Sequence, residues 1–215
     1  MLLLIDLDNT LIDRTAAFKG WARSRFGESE VAWLAEADRD GYEPREPLAA
    51  RIAERYRLDA AKILVELRAG MIEHVTLEPA VAAALSAVSA AGHVPYVVSN
   101  GLVTQQEAKL RHTGLDRLVA GWTISEGAGV RKPDRRIFEQ AAAAAGSPLD
   151  RTGWMIGDNS ELDVGGGVAA GLRTAWLERG REWPAHLPYR PDLITESAAT
   201  ALRKVIGLPA PEVHG

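Results

Sequence analysis

Six short apolar runs, over residues 2–7, 94–99, 122–125, 154–157, 174–177 and 193–195, are separated mostly by stretches of helical periodicity, and that alternation leaves few folds open. The first run, Leu2-Leu3-Leu4-Ile5, is aliphatic at every position rather than at every second one. Such a strand is covered on both faces, as in a parallel sheet flanked by helices. Glycines mark helix stops: the pattern at 104–112 is closed by Gly114 and that at 135–145 by Gly146. From 14 to 87 the rhythm changes, with helical candidates at 16–26, 30–39, 48–56 and 60–73 and no convincing strand. The expected fold is α/β, a doubly wound parallel sheet built from residues 1–13 and 88–215, with an all-helical cap inserted at 14–87. A chain of 215 residues has room for one core domain plus such an insertion. The tail from Leu208 to Gly215, with two prolines, is expected to fray.

Bulk properties narrow the function by exclusion. The net charge is −4, so no excess of basic residues invites a nucleic-acid polymer. Cysteine is absent, which removes disulfides and thiolate metal sites. The start of the chain has no basic segment followed by a small-residue cleavage site, which argues against secretion. Residues 79–98 are the longest candidate for a membrane span. They are interrupted by Ser86, Ser89, Gly92, His93 and Pro95, and read instead as an alanine-rich helix running into a strand. A soluble cytoplasmic protein is expected, as a monomer or a cap-mediated dimer.

Four polar clusters sit where predicted strands end. Asp6-Leu7-Asp8-Asn9-Thr10 follows the first, Ser99-Asn100-Gly101 the second, and Gly157-Asp158-Asn159 with Asp163 the fourth. Lys132-Pro133-Asp134 comes after the third strand and a glycine-bearing loop, and is expected to open a helix with Pro133 in its first turn. In a parallel sheet all four gather at one edge, where ligands of such folds bind. Carboxylates so close together repel one another, so either a cation holds them or one keeps its proton. A donor set of carboxylates without histidine or cysteine suits Mg²⁺. A hydroxyl, an ammonium and backbone amides suit a phosphoryl group, and a carboxylate can attack phosphorus.

With these four motifs in this order, the chain resembles the haloacid dehalogenase superfamily, in its phosphatase branch with a helical cap inserted after the first strand (C1 type). The resemblance implies a Mg²⁺-dependent hydrolase of small-metabolite phosphate monoesters working through an aspartyl-phosphate. Asp6 would be nucleophile and metal ligand. Asp8 would be general acid and then base, its backbone carbonyl also completing the metal shell. Asp158 would bind the metal directly, and Asp163 through water or by orienting Lys132. Ser99 and the Asn100 amide would hold phosphoryl oxygens, Lys132 would neutralise developing charge, and Thr10 would brace the loop beside the substrate. An acid at position 8 separates the phosphatase branch from the dehalogenases, whose leaving halide needs no proton. A phosphomutase, or a non-hydrolytic phospho-acceptor or binding module, is the alternative.

Other conspicuous residues receive plainer readings. Gly165-Gly166-Gly167 with Gly171 lies after the acidic motif, not in a strand-to-helix turn, and points to close helix packing. The five histidines show no ligand spacing. Arg39, Tyr42 and Arg45, around Gly41, are the cap residues nearest to substrate candidates, whereas Trp21 and Trp33 read as cap core.

Overall fold

The computed structural model of the chain describes residues 1–209. It divides into two compact units, residues 1–12 with 77–215 and residues 13–76.

The larger unit begins with β1 (Leu2–Ile5), all four residues of which are buried. The second unit follows as α1 (Arg14–Phe26), α2 (Val31–Asp38), α3 (Arg45–Tyr56) and α4 (Ala60–Glu73). The larger unit resumes with α5 (Pro79–Ala90), β2 (Val94–Ser99), α6 (Val103–Thr113), β3 (Trp122–Ile124), the one-turn α7 (Ser125–Ala128) and α8 (Arg135–Ala144). It finishes with β4 (Trp154–Gly157), α9 (Gly166–Ala170), β5 (Arg173–Leu177), β6 (Leu193–Thr195) and α10 (Ala198–Val205).

The strands form one sheet in the order β3-β2-β1-β4-β5-β6, every neighbouring pair parallel. β1 lies between β2 and β4, with Ile5 opposite Val97 on one side and Ile156 on the other. This order places the topological switch point between β1 and β4, the position where open α/β sheets bind ligands. The aliphatic run of β1 has no polar face because both sides of the sheet are covered. Leu2 and Leu4 join Val98, Met155, Ile137 and Phe138 in a core under α8. The alternate residues Leu3 and Ile5 are equally buried, as side chains of a strand point to opposite faces. α5 packs on β2, and α10 packs on α5, β4 and β5.

The expected strands are all present, and each expected helix lies within about two residues of an observed one apart from its N-terminal end in α3. Two expectations need correction. The inserted unit ends at residue 76 rather than 87, because α5 turns Val81, Ala84, Leu85 and Val88 inward against β2 and α10. Pro133 does not occupy the first turn of α8. The helix starts at Arg135, where the Asp134 carboxylate caps it by accepting from Arg136 N–H at 2.9 Å. The tail expected to fray lies beyond residue 209 for most of its length, outside the described residues.

Within the second unit, Phe18, Trp21, Leu34, Leu48, Ile52, Ile63 and Leu67 are buried. Gly70 lies under the Trp21 indole, where any Cβ would collide with the ring. Asp38, fully enclosed, accepts from Arg14 through both carboxylate oxygens and from Arg45 Nη1 at 2.7 Å. Arg45 is thereby committed to an ion pair within its own unit, while Tyr42 stays exposed. Trp21 is core as expected, and Trp33 is half-buried with the Arg55 guanidinium 4.4 Å above its ring.

Candidate active site

Parallel register brings the sequence motifs together. Asp6 follows Ile5 at the end of β1, and its N–H donates to Ile156 O at 2.9 Å, which ties it to β4. Asn9 then takes a left-handed conformation (φ 63°), which asparagine tolerates better than most residues, and turns the chain back. The turn aims the Thr10 hydroxyl at Asp6 Oδ2, 3.3 Å away. Beyond β4, a π-helical turn (Ser160–Gly165) carries Asp163 back over the strand end. Asn159 caps this turn by accepting from Glu161 and Leu162 N–H, and its own N–H donates to Asp163 Oδ2 at 3.0 Å. Gly157 makes room for the fold-back, because a Cβ there would lie 2.6 Å from that of Asp163.

Asp6, Asp158 and Asp163 are buried, and each offers a carboxylate oxygen within 4.8 Å of the others. Lys132 Nζ lies among them, donating to Asp6 Oδ1 at 2.6 Å and Asp163 Oδ1 at 2.7 Å. Its backbone is fixed from the other side. The Asn100 side chain accepts from Lys132 N–H at 2.9 Å and donates to Lys132 O at 3.1 Å. The Asn100 side-chain amide thus fixes the lysine loop. Ser99 Oγ accepts from Gln106 Nε2 at 2.6 Å, which leaves the hydroxyl hydrogen for another acceptor.

Burial pushes the Asp6 carboxyl up to about 8, Lys132 opposes the shift, and Asp163 and Asp158 reinforce it. Asp158 is likewise raised to about 6 by burial and then by Asp163, against Arg181 and Arg179. Burial alone would lower Lys132, but Asp163 and Asp6 outweigh it and hold the ammonium charged well beyond its ordinary range. The three carboxylates form an oxygen-only donor set fitted to a hard divalent cation such as Mg²⁺.

Four participants were not singled out in the sequence. Gln106 and Lys109 project from α6 to Asp8, at 2.8 Å and at 2.7 and 2.9 Å. The available signal was their spacing, which puts them on the same helical stripe as the buried Leu110. Arg181 donates to the carbonyl of Asp158 at 2.7 Å and to its Oδ2 at 3.0 Å, and Arg179 lies 3.5 Å from that oxygen. Both arginines follow the end of β5, the same kind of position that carried the other motifs.

Fold and site together define an α/β protein with a cluster of buried carboxylates at a sheet switch point. A family model described as haloacid dehalogenase-like hydrolase matches residues 1–171, and the chain belongs to that family. Among curated relatives, pyrimidine 5'-nucleotidase YjjG of Escherichia coli is 35% identical over 133 residues, covering 61% of this chain and 59% of that protein. Phosphoserine phosphatase of Thermus thermophilus is 37% identical over 84 residues, 39% of this chain and 33% of that protein. The chain thus matches less than two thirds of the length of either. L-2-haloacid dehalogenase from Xanthobacter autotrophicus shares the fold at TM-score 0.78 and 16% identity, covering 96% of this chain and 98% of that one. A HAD phosphatase from Thermococcus onnurineus does so at TM-score 0.65 and 17% identity, covering 98% and 99%. No helix among the described residues is long and apolar enough to cross a membrane.

Proposed function

We propose that the chain is a Mg²⁺-dependent phosphatase that hydrolyses phosphate monoesters of small metabolites through a phosphorylated Asp6. The observation that carries this reading is the Lys132 ammonium held between Asp6 and Asp163 inside a cluster of three carboxylates. Names of the curated relatives, a nucleotidase and a phosphatase, point the same way. Asp8 favours phosphate esters over halides, since an alkoxide leaving group needs a proton and a halide does not.

Asp6, Asp158, Asp163 and the Asp8 carbonyl would hold the metal, which supplies positive charge to phosphoryl oxygens and to the attacking carboxylate. Lys132 adds a second positive charge and, together with the metal, favours the ionised form of Asp6 needed for attack. Ser99 donates its hydroxyl hydrogen to a phosphoryl oxygen. Thr10, through its bond to Asp6 Oδ2, orients the carboxylate whose Oδ1 meets Lys132.

The test is phosphate release from a panel of phosphorylated sugars, nucleoside monophosphates and phospho-amino acids, with Mg²⁺ and with EDTA. Release from at least one class with Mg²⁺, lost in EDTA, is expected. Asp6→Asn should abolish turnover by at least about 1,000-fold while keeping the wild-type melting profile. Undiminished release by Asp6→Asn would refute the nucleophile assignment, and halide release from a 2-haloacid without phosphatase activity would refute the reaction class.

A further inference from the structure

Helix α6 carries an amide and an ammonium to Asp8, and neither belongs to the four strand-end motifs. Gln106 and Lys109 stand one helical turn apart and are 2% and 4% exposed. A lysine is seldom enclosed so fully unless an opposite charge compensates for the lost water. Lys109 Nζ spans both oxygens of the Asp8 carboxylate, and Gln106 Nε2 reaches Oδ2 of the same group. That amide nitrogen also donates to Ser99 Oγ. One helix face therefore links the proposed proton-transfer group to the proposed phosphate-binding hydroxyl. Asp8 stands on a short turn after β1 with its side chain 26% exposed, and the terminal torsion of an aspartate is intrinsically broad. Contacts from two residues at both oxygens remove that freedom.

We propose that Lys109 and Gln106 are positioning residues that hold the Asp8 carboxyl group in register with a phosphoryl group at Ser99. This rests on the phosphatase reading above, in which Asp8 handles the protons. In the first step an Asp6 oxygen bonds to phosphorus, and the ester P–O bond breaks with its electron pair on the leaving oxygen. That oxygen takes a proton from Asp8, which enters the step as the neutral acid and leaves it as the carboxylate that Lys109 compensates. In the second step a water oxygen bonds to phosphorus and its proton passes to Asp8. The P–O bond to Asp6 breaks, and free phosphate, the Asp6 carboxylate and protonated Asp8 result. Only a leaving group of low basicity can depart without the first proton, so the cost of a misplaced Asp8 depends on the ester.

The experiment uses the full chain with Mg²⁺ and measures single-turnover release of the leaving group from p-nitrophenyl phosphate and from glycerol phosphate. Lys109→Met is expected to slow the alkyl ester by about 100-fold and the aryl ester far less, with substrate KM little changed. Lys109→Arg, which restores a cationic donor, should recover part of the alkyl rate. Gln106→Met should show the same discrimination between the esters in a milder form, and it carries the test if Lys109→Met does not fold. Equal losses on both esters in a folded variant, or no loss on glycerol phosphate, would overturn the positioning role alone. A wild-type chain releasing nothing from either ester or from any member of the panel above would instead overturn the phosphatase reading together with this inference.

Discussion

Asp6 and Asp158 hold protons more tightly than ordinary carboxylates, and this sets pH and Mg²⁺ against each other. A carboxyl whose folded value lies above its unfolded one near 3.8 binds more protons in the folded state. Stability from this source is complete below pH 4 or so and declines as pH rises through about 6 and then about 8. Metal-free protein should therefore melt at progressively lower temperature across that window, setting aside the acid limb caused by other carboxylates. Added Mg²⁺ should raise the melting temperature more at pH 8 than at pH 5, because fewer protons have to be displaced. Calorimetry with and without EDTA checks both signs, and a Mg²⁺ effect larger at pH 5 would contradict them. The acidic residues of this site were legible because their motifs follow predicted strands. Gln106 and Lys109 were not, because a polar residue on a helix looks solvated until its stripe is known to face inward. Arg179 and Arg181 hid for a related reason, since charged residues in a glycine-bearing loop usually face water.

At the scale of elements, the site depends on how closely α9 and the turn before it approach their neighbours. A Cβ on Gly166 would lie 2.7 Å from Phe138 Cζ and 3.2 Å from Pro133 Cα, and one on Gly167 would lie 2.8 Å from Met155 Cβ. The glycine run thus serves packing, as its place in the sequence suggested. Gly166→Ala should destabilise by about 1–3 kcal/mol through overpacking, a loss that chemical denaturation would measure. It should also lower activity, because the Pro133 backbone it displaces adjoins Lys132. Strands and helix cores were readable from periodicity, whereas element ends were not. Whether Pro133 or Asp134 begins α8 depends on which group satisfies the free N–H of Arg136, and Asp134 does so.

For the whole molecule, the inserted unit and the sheet unit differ in what stabilises them. The inserted unit has a buried ionic centre in which Asp38 faces two arginines. Removing one member leaves buried charge uncompensated, so Asp38→Ala should cost about 3–5 kcal/mol, seen as an earlier transition in urea. The existence of the insertion was legible from the missing strands, but its far boundary was not. An amphipathic helix shows a buried stripe without showing which body buries it, and α5 is such a helix. The sheet unit has a different dependence. Its central strand pairs Leu3 with Trp154, so the middle of the sheet cannot close until β4 has been made. At about 5–20 residues per second, a ribosome leaves β1 waiting on the order of ten seconds for that neighbour. Nascent chains in the meantime expose four consecutive aliphatic residues, which makes this short segment the natural one for a chaperone to shelter during synthesis.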